Sequence, residues 1–385
     1  MARSYLDHAS SSPLRPAARD AMVEALDTLS GDPGRIHEEA MASRVSLETA
    51  RQQVADLLGA RSREVVFTSS ATEAIASAVF GLAQRAKDKS LLDDDGQTHQ
   101  VVTAVEHSAV RHSAARHGNV TVVPVGPTGR VDPDDVIRAI GPNTAGVHVQ
   151  WANHEVGTTQ PIFEIVEACK QRKVPVHVDA AQAVGRVPVS FSELGADLMS
   201  FSGHKIGGPA GTGALLVRRG LRIPPLLLGG DQERSRRAGL EPVAALVGLG
   251  AAAAELCDSL DEEIDRAQRQ GERLRQFAQT IEGIVDYGDP DHRVGHLVCL
   301  GVEGVEPQGV LLGLNSLGVS AHSGSACSSE SLEPSPVLEA MGVDAHHSLR
   351  ISVGWNTTDE DIDRAIDALP KTISNLRNLA VSFQQ

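Results

Sequence analysis

Cysteine, lysine and aromatic residues are scarce in this chain of 385 residues, which has four cysteines and only 3% aromatic residues. Lysine occurs only at positions 87, 89, 170, 173, 205 and 371, so arginine supplies most of the cationic side chains. Four cysteines without a CxxC spacing are too few for a disulfide scaffold and predict neither a zinc site nor a dithiol redox centre. With so few aromatic residues, the 41% hydrophobic content predicts an aliphatic core, which suits an α/β protein.

Positive charge and long apolar runs are also lacking. The 35 Lys and Arg residues against 50 Asp and Glu residues give a net charge of −15. This balance disfavours direct binding to nucleic acid, because phosphate neutralisation needs clustered cations. The longest nearly apolar run, residues 243–254, is too short and too rich in glycine and alanine to span a bilayer, and the first residues do not form an apolar leader. We therefore expect a cytoplasmic protein without a membrane-spanning segment.

Strand-like and helix-like segments alternate between residues 63 and 218. Seven short apolar runs have strand character, and several are separated by stretches of helical periodicity. This alternation predicts βαβ units, a mainly parallel sheet and a ligand crevice at the carboxyl ends of the strands. After about residue 242 a long helical tract leads into a pattern typical of a smaller α+β domain. We place the large domain at residues 15–255, and the small domain at residues 1–14 and 256–385.

The most specific local signal is residues 197–209, DLMSFSGHKIGGP. A strand pattern runs out into Ser-Gly-His-Lys and a glycine-rich turn, which puts the scarce residue Lys205 where such a sheet exposes its functional loops. Lysine amines combine covalently with carbonyl compounds, pyridoxal 5'-phosphate (PLP) among them. A surface lysine in an ordinary turn is the alternative interpretation.

Three other strand ends carry candidate residues. Asp179 ends the apolar run VHVD, and a buried carboxylate there needs a cation such as a protonated pyridine nitrogen, unless it only caps a helix. Residues 67–73, FTSSATE, start a helix whose free amides suit a phosphate or an ordinary N-cap. His107 could stack on a flat cofactor or move protons. The five-residue spacing of the histidines from 107 to 117 does not place them on one helical face, so no metal site is expected.

Two residues late in the chain complete the set. Arg350 lies in the strand-like run LRISVG, where a guanidinium could bind the carboxylate of an amino-acid substrate or form a surface ion pair. Cys327 lies in SGSACSS, a stretch of small polar residues that predicts an exposed thiol. We expect the other three cysteines, at positions 169, 257 and 299, to be small buried hydrophobic residues.

Together these segments resemble the cysteine desulfurases, the NifS/IscS-like PLP enzymes of fold type I, over nearly the whole chain. The resemblance implies Lys205 as the lysine that binds PLP covalently, Asp179 on the pyridine nitrogen and His107 stacked on the ring. It implies Cys327, Lys205 and His107 as catalytic residues and Arg350 as the residue that binds the substrate carboxylate. The implied cofactor-binding residues are Ala71, Thr72, His107, Asn153, His154, Asp179, Gln182, Ser202, Gly203, His204 and Lys205.

The resemblance also implies a reaction and partners. L-cysteine would become L-alanine, and a thiolate at Cys327, beside His107 or another cation, would take the sulfur as a persulfide and pass it to an acceptor protein. The acceptor would serve iron–sulfur cluster assembly, tRNA thiolation or DNA phosphorothioation, and the chain would form a homodimer without binding nucleic acid itself. A selenocysteine lyase, another lyase or aminotransferase of this fold, and a non-catalytic PLP-fold scaffold are the alternatives.

Several positions depart from the family's pattern, among them His8, residues 31–37 and two positions that concern the cofactor. His154 stands where the family has a second asparagine beside the phenolic oxygen of the cofactor. Leu240 stands where the family has a threonine that reaches the phosphate of the neighbouring subunit. These departures point to a specialised branch, and we expect one similar to DndA, the desulfurase that supplies DNA phosphorothioation.

Overall fold

The computed structural model describes residues 3–323 and 334–383, and it has the α/β architecture that the sequence predicts. The strands are β1 Ser4–Tyr5, β2 Val65–Thr68, β3 His99–Thr103, β4 Asn119–Val123, β5 Thr144–Gln150, β6 Val176–Asp179, β7 Leu198–Ser202, β8 Gly213–Val217, β9 Ile284–Tyr287, β10 Leu297–Val302, β11 Val319–Ser320 and β12 Ser348–Ser352. The helices are α1 Pro16–Thr28, α2 Glu38–Leu57, α3 Ala71–Asp88, α4 Ser108–His117, α5 Pro133–Ala139, α6 Ile162–Arg172, α7 Phe191–Leu194, α8 Gln232–Ser235, α9 Val243–Ala278, α10 Pro307–Ser316, α11 Pro336–Met341 and α12 Asp359–Phe383. Short 3-10 turns lie at Ser62–Glu64 and Gly203–Ile206.

A seven-stranded sheet forms the centre, in the order β2-β8-β7-β6-β5-β3-β4. Strands β4, β3, β5, β6 and β7 pair in parallel, and β8 pairs antiparallel with both of its neighbours. Its strands coincide with the seven apolar runs. Except in the edge strand β4, which is largely exposed, their side chains are mostly buried on both faces, as in other helix-covered parallel sheets. The predicted mainly parallel sheet is thereby confirmed.

Helix α3 shows how the sequence builds one layer of this fold. The hydroxyl of Ser70 caps its N-terminus by accepting a hydrogen bond from the Glu73 amide at 3.3 Å. Ala74, Ala78 and Leu82 recur at helical spacing and pack with strand residues in one buried cluster. The small side chains of Ala74 and Ala78 allow the helix to lie close to the sheet, and its N-terminus stands at the sheet's carboxyl edge.

A second, smaller core forms around an antiparallel sheet of order β12-β10-β9. Strand residues such as Leu300 and Ile351 pack there with Ile362 and Ile373 of α12. The N-terminal strand β1 reaches this part of the molecule by pairing in parallel with β11. Helix α9 contributes its first half to the large core and its second half to the small one. The predicted domain boundary after residue 255 falls inside this helix, and the division into two domains stays a prediction.

One helix of the described chain, α9, contains an 18-residue window of mean hydropathy 1.6, long and apolar enough by composition to cross a membrane. Its apolar residues have an evident use within the fold, since Leu246, Leu249 and Leu256 are buried in the core against α1 and α2. The same helix corrects one expectation from the sequence. Cys257 is exposed, because it lies about 100° around the helix from the buried Leu256, outside the buried face. Cys169 and Cys299 are buried as expected.

Candidate active site

The carboxyl ends of the parallel strands surround a cavity of about 190 Å³. Strand β2 leads into α3, β3 leads towards α4, β6 ends at Asp179 and β7 leads into the turn that carries Lys205. The residues around the cavity are Ser70, Ala71, Thr72, Ile75, His107, Gln150, Ala152, His154, Asp179, Ala181, Gln182, Ser202, His204 and Lys205. A crevice at this edge is what the alternation of strands and helices predicts.

Lys205 projects from the 3-10 turn after β7. Its ammonium nitrogen Nζ donates hydrogen bonds to the carbonyl oxygen of Ala9 and, at 2.9 Å, to that of Ser10. Burial lowers the pKa of Lys205 to about 8, and the nearby guanidinium of Arg350 acts in the same direction. The amine is therefore much closer to its neutral, nucleophilic form at physiological pH than an exposed lysine.

Asp179 lines the cavity, and its charge acts on a second buried carboxyl group, that of Glu106. Oδ1 of Asp179 accepts hydrogen bonds from the Ala181 amide at 3.0 Å and the Ser200 hydroxyl at 3.2 Å. Burial still raises the pKa of Asp179 above its usual value. Burial also raises the pKa of Glu106 to about 8, with the charge of Asp179 acting in the same direction. Glu106 is thus a neutral acid at physiological pH, and Asp179 is the group that benefits from a cationic ligand.

His107 caps helix α4 and faces the cavity. Its Nδ1 accepts a hydrogen bond from the amide of Ala109 at 3.1 Å, so a neutral ring carries its proton on Nε2. Burial lowers the pKa of His107 to about 3, and His154 acts in the same direction. The rings of His107 and His154 meet edge to face, with their centroids 5.1 Å apart. His107 is therefore uncharged, so the cation expected beside the thiolate of Cys327 would be another group.

The opposite end of the cavity is suited to an anion. The first amide groups of a helix have no acceptor within the helix, and those of Ala71 and Thr72 stand at the start of the 18-residue helix α3. The hydroxyl of Ser202 is buried without a hydrogen-bond partner among the described residues. Burial lowers the pKa of His204 to about 4, so its ring is neutral. A phosphate could accept hydrogen bonds from these amide and hydroxyl donors.

Three residues that were predicted to bind the cofactor, Asn153, Gln182 and Gly203, have evident roles in the protein structure itself. Asn153 does not line the cavity: its side chain donates to the Val105 carbonyl at 3.2 Å and accepts from the amides of Glu155 and Val156, which shapes the turn that presents His154. Gly203 does not line it either. A side chain at Gly203 would collide with Thr212, because an added Cβ would lie 2.3 Å from its hydroxyl oxygen. Gln182 lines the cavity and donates to the carbonyl of Ala9 at 2.7 Å.

Arg350 lies beside the cavity without lining it. Its guanidinium donates to the His154 carbonyl at 2.8 Å, to Asp7 Oδ1 at 3.0 Å and to the Ser10 hydroxyl at 2.6 Å. Since Ser10 also accepts a hydrogen bond from Lys205, the N-terminal segment links the two cations. Cys327 lies outside the described residues, so its predicted position in the site has no structural counterpart here.

Comparison with known proteins shows which class of protein this fold belongs to. The family model described as "Aminotransferase class-V" matches residues 4–365. A solved structure titled "NIFS-LIKE PROTEIN" superposes with a TM-score of 0.88 at 27% identity, covering 97% of this chain and 100% of the other. A second structure, titled "SspA in complex with cysteine", gives a TM-score of 0.78 at 28% identity, covering 91% and 98% of the two chains.

A curated relative narrows the class. This chain is 40% identical to "Cysteine desulfurase IscS" of Methanosarcina thermophila over 389 aligned residues, which cover 98% of this chain and 93% of the relative. The chain belongs to the NifS/IscS-like cysteine desulfurase family and is an enzyme of that PLP-dependent family.

Proposed function

We propose that the cavity binds PLP, with its phosphate at the N-terminus of α3 and its pyridine nitrogen at Asp179. The observation that carries this proposal is that one cavity joins three complementary groups: a lysine of lowered pKa, a buried carboxylate and an anion site with the unpartnered Ser202 hydroxyl. When bound, PLP supplies an electron sink that activates the bonds next to the amino group of an amino acid. Lys205 would hold the cofactor and then move the α-proton.

The substrate that we propose is L-cysteine, with Arg350 as the residue that binds its carboxylate. A substrate carboxylate would replace Asp7, itself a carboxylate, as the partner of the Arg350 guanidinium, which already lies 3.0 Å from Asp7 Oδ1. Cys327 would then take the sulfur atom, which leaves L-alanine and a persulfide on the enzyme. Because His107 is neutral, Lys205 or Arg350 is the cation that would favour the thiolate of Cys327.

Conversion of L-cysteine by the purified chain tests this function. With PLP and a reductant present, we expect L-alanine and sulfide in equal amounts, because every persulfide that the reductant cleaves corresponds to one alanine released. Sulfide with pyruvate and ammonia in place of alanine would indicate a different lyase. No turnover of L-cysteine at all would contradict the proposal.

The lowered pKa of Lys205 predicts the pH dependence of PLP attachment. Only the neutral amine attacks an aldehyde, and its fraction grows as the pH rises through the pKa. The rate of covalent attachment to the cofactor-free chain should therefore rise with a midpoint near pH 8, and not near the 10.5 of an ordinary lysine. Absorbance after mixing with PLP, followed over a series of pH values, measures this rate. A midpoint that stays close to the ordinary value would show that Lys205 is not desolvated as described.

We also propose a homodimer. Exposed apolar side chains lie on α1, on α2 and on the segment before α9. Leu26 and Leu240 line one surface cavity, and Met41, Val45 and Leu228 on α2 and on this segment are exposed as well. Patches of this kind mark protein interfaces, and a second copy of the chain is the occupant that the family suggests. Leu240, which replaces the family's threonine, would pack there as an apolar residue.

Replacing Leu228 by glutamate tests the dimer. Leu228 is 83% exposed in the single chain, and an unpaired carboxylate buried in an interface is costly. We expect Leu228→Glu to lower dimer affinity at least about tenfold in sedimentation experiments, an effect of roughly 1.4 kcal/mol. Leu312→Glu is the matched control, because Leu312 is 71% exposed on α10, outside this patch, and should leave the dimer intact. A wild-type monomer that turns over at full rate would exclude the dimer.

The direct acceptor that we propose for the sulfur of the Cys327 persulfide is a cytoplasmic protein. The net charge of −15 favours transfer to a protein over direct contact with nucleic acid, also where the sulfur ends in DNA or tRNA. A DndA-like role in DNA phosphorothioation stays a prediction. Transfer of labelled sulfur from the wild-type chain to candidate acceptor proteins tests it.

A further inference from the structure

A row of buried polar side chains crosses the central sheet behind Asp179. Gln100, His148, His177 and Ser200 come from the neighbouring strands β3, β5, β6 and β7, and each has 0% relative exposure. His148 lies directly opposite His177 in the strand register, and Ser200 lies directly opposite Asp179. None of these four residues except Ser200 contacts Asp179, so three of them have no part in the site described above.

Hydrogen-bond distances join the row into one chain. Ser200 Oγ lies 3.2 Å from Asp179 Oδ1, and His177 Nε2 lies 3.1 Å from Ser200 Oγ. The two Nδ1 atoms of His177 and His148 are 3.3 Å apart, and His148 Nε2 is 2.9 Å from Oε1 of Gln100. Each contact needs one donor and one acceptor, so the proton positions are linked from one end of the chain to the other.

An ionised Asp179 fixes the direction of all these bonds. The carboxylate can only accept, so the Ser200 hydroxyl donates to it and accepts from His177 Nε2–H. A neutral His177 then accepts on Nδ1, which requires His148 to donate from Nδ1 and to accept on Nε2. The group that faces His148 Nε2 must therefore be a donor. In the structure that group is Oε1 of Gln100, which can only accept, and the amide nitrogen of Gln100 is buried without a partner among the described residues.

Two changes would remove this mismatch. A second proton on either histidine would place a cation in the core, and burial lowers the pKa of His148 to about 3 and that of His177 well below its usual value. A half-turn of the Gln100 side-chain amide exchanges its nitrogen and its oxygen, which have nearly the same size, and places no charge in the core. The second change also gives the orphaned amide nitrogen a partner.

We propose that Gln100, His148, His177 and Ser200 form a hydrogen-bonded relay that holds Asp179 as a carboxylate, with the amide nitrogen of Gln100 turned towards His148. The four residues are positioning residues that act through Asp179. The role of Asp179 beneath a cofactor ring rests on the proposed function, whereas the positions of the protons in the relay do not.

Other charged groups also face Asp179. Lys205 and His154 favour its ionised form, whereas Glu106 would oppose it only when Glu106 is itself ionised. Among the residues that the structure describes, no titratable group acts on His148 through its charge, and His148 is the one that acts on His177. The two histidines are thus remote from other charges of the described residues. The direction of the hydrogen bonds in the relay is set by Gln100 at one end and Asp179 at the other.

The tautomers of two histidines test the relay directly. A proton–nitrogen correlation spectrum of the full chain with isotope-labelled histidine, recorded with PLP present, reports which ring nitrogen carries the proton. We expect a neutral His148 protonated on Nδ1 and a neutral His177 protonated on Nε2. The opposite pair of tautomers, or a doubly protonated ring, would overturn the proposal. The variants His148→Gln and His177→Gln assign the signals, and neutron diffraction from the wild-type protein gives the same answer if either variant fails to fold.

Removal of one hydroxyl tests the effect on Asp179. Ser200→Ala takes away one of the two hydrogen-bond donors that the described residues provide to the Asp179 carboxylate. We therefore expect the pH at which the visible absorbance of the PLP-loaded enzyme changes to shift by about one unit. Ser200→Thr keeps a hydroxyl and should restore the wild-type titration. Ser43→Ala removes a buried hydroxyl from α2, outside the cavity lining, and should not shift it. An unshifted titration in Ser200→Ala, or an equal shift in Ser43→Ala, would overturn the proposal.

These experiments separate the two proposals. Reversed tautomers in a chain that converts L-cysteine to L-alanine would overturn the relay alone. The expected tautomers in a chain that releases no alanine would support the relay and contradict the proposed reaction.

Discussion

Replacing Cys327 by serine is expected to abolish release of alanine and sulfide from L-cysteine while the visible absorbance of bound PLP stays unchanged. A serine hydroxyl cannot form a persulfide and is far less nucleophilic than a thiolate, so turnover should fall at least about a thousandfold. The cofactor groups that we assign lie on the strand ends of the large sheet and are unaffected by the change. Alanine formation and absorbance, measured on the same sample, check both parts of the expectation.

Cys257→Ser is the matched control for this variant. Cys257 is an exposed thiol on α9 that does not line the cavity, so its replacement should leave turnover at the wild-type rate. Normal turnover in Cys327→Ser would remove Cys327 from its proposed role. Loss of cofactor absorbance in that variant would mean that the substitution damages the site instead of the sulfur transfer alone.

Replacing Lys205 by alanine is expected to abolish covalent attachment of PLP and to lower turnover by at least about a thousandfold. The variant loses the group that binds the cofactor and the group that moves the α-proton, and proton transfer alone contributes roughly 10²–10⁴-fold. The hydrogen bonds to Ala9 and Ser10 are lost at the same time. Absorbance after removal of free PLP by gel filtration measures attachment.

Lys170→Ala is the control for a general effect of losing a lysine. The Lys170 side chain is 73% exposed on α6 and lies outside the cavity lining, so both absorbance and turnover should match the wild type. Retention of the covalent cofactor in Lys205→Ala would show that another amine holds it. A far-ultraviolet spectrum equal to that of the wild type would exclude unfolding as the cause of the loss.

The part of the fold that positions the site was predictable because its signals are local. Seven apolar runs specify the strands of the central sheet, and strand ends such as Asp179 and Lys205 carry polar residues that a buried strand would otherwise avoid. Helices α1 and α2 were not predicted. Their buried faces consist largely of small residues, such as Ala18, Ala25 and Ala40, so the hydrophobic periodicity is weak.

Other features depend on three-dimensional neighbours that no local pattern reveals. Gln100, His148 and His177 lie in apolar strands far apart in sequence, and only the strand register brings them into one row. The sequence likewise gives no sign that burial raises the pKa of Glu106. Nor does it show that the side-chain oxygen of Asn153 accepts a hydrogen bond from the Glu155 amide within a turn. The sequence predicts His107 as a stacking residue. It does not predict that the ring is neutral, because the neutral state depends on the hydrogen bond from the Ala109 amide and on burial in the fold.

The position of the sulfur after one turnover tests the central claim most directly. The PLP-loaded chain is mixed with a limiting amount of L-cysteine that carries labelled sulfur, without reductant, and is then digested for mass spectrometry. We predict the label as a persulfide on Cys327, together with an equal amount of L-alanine, and none on Cys169, Cys257 or Cys299. Alanine without label on Cys327, or label on one of the other three cysteines, would contradict the account.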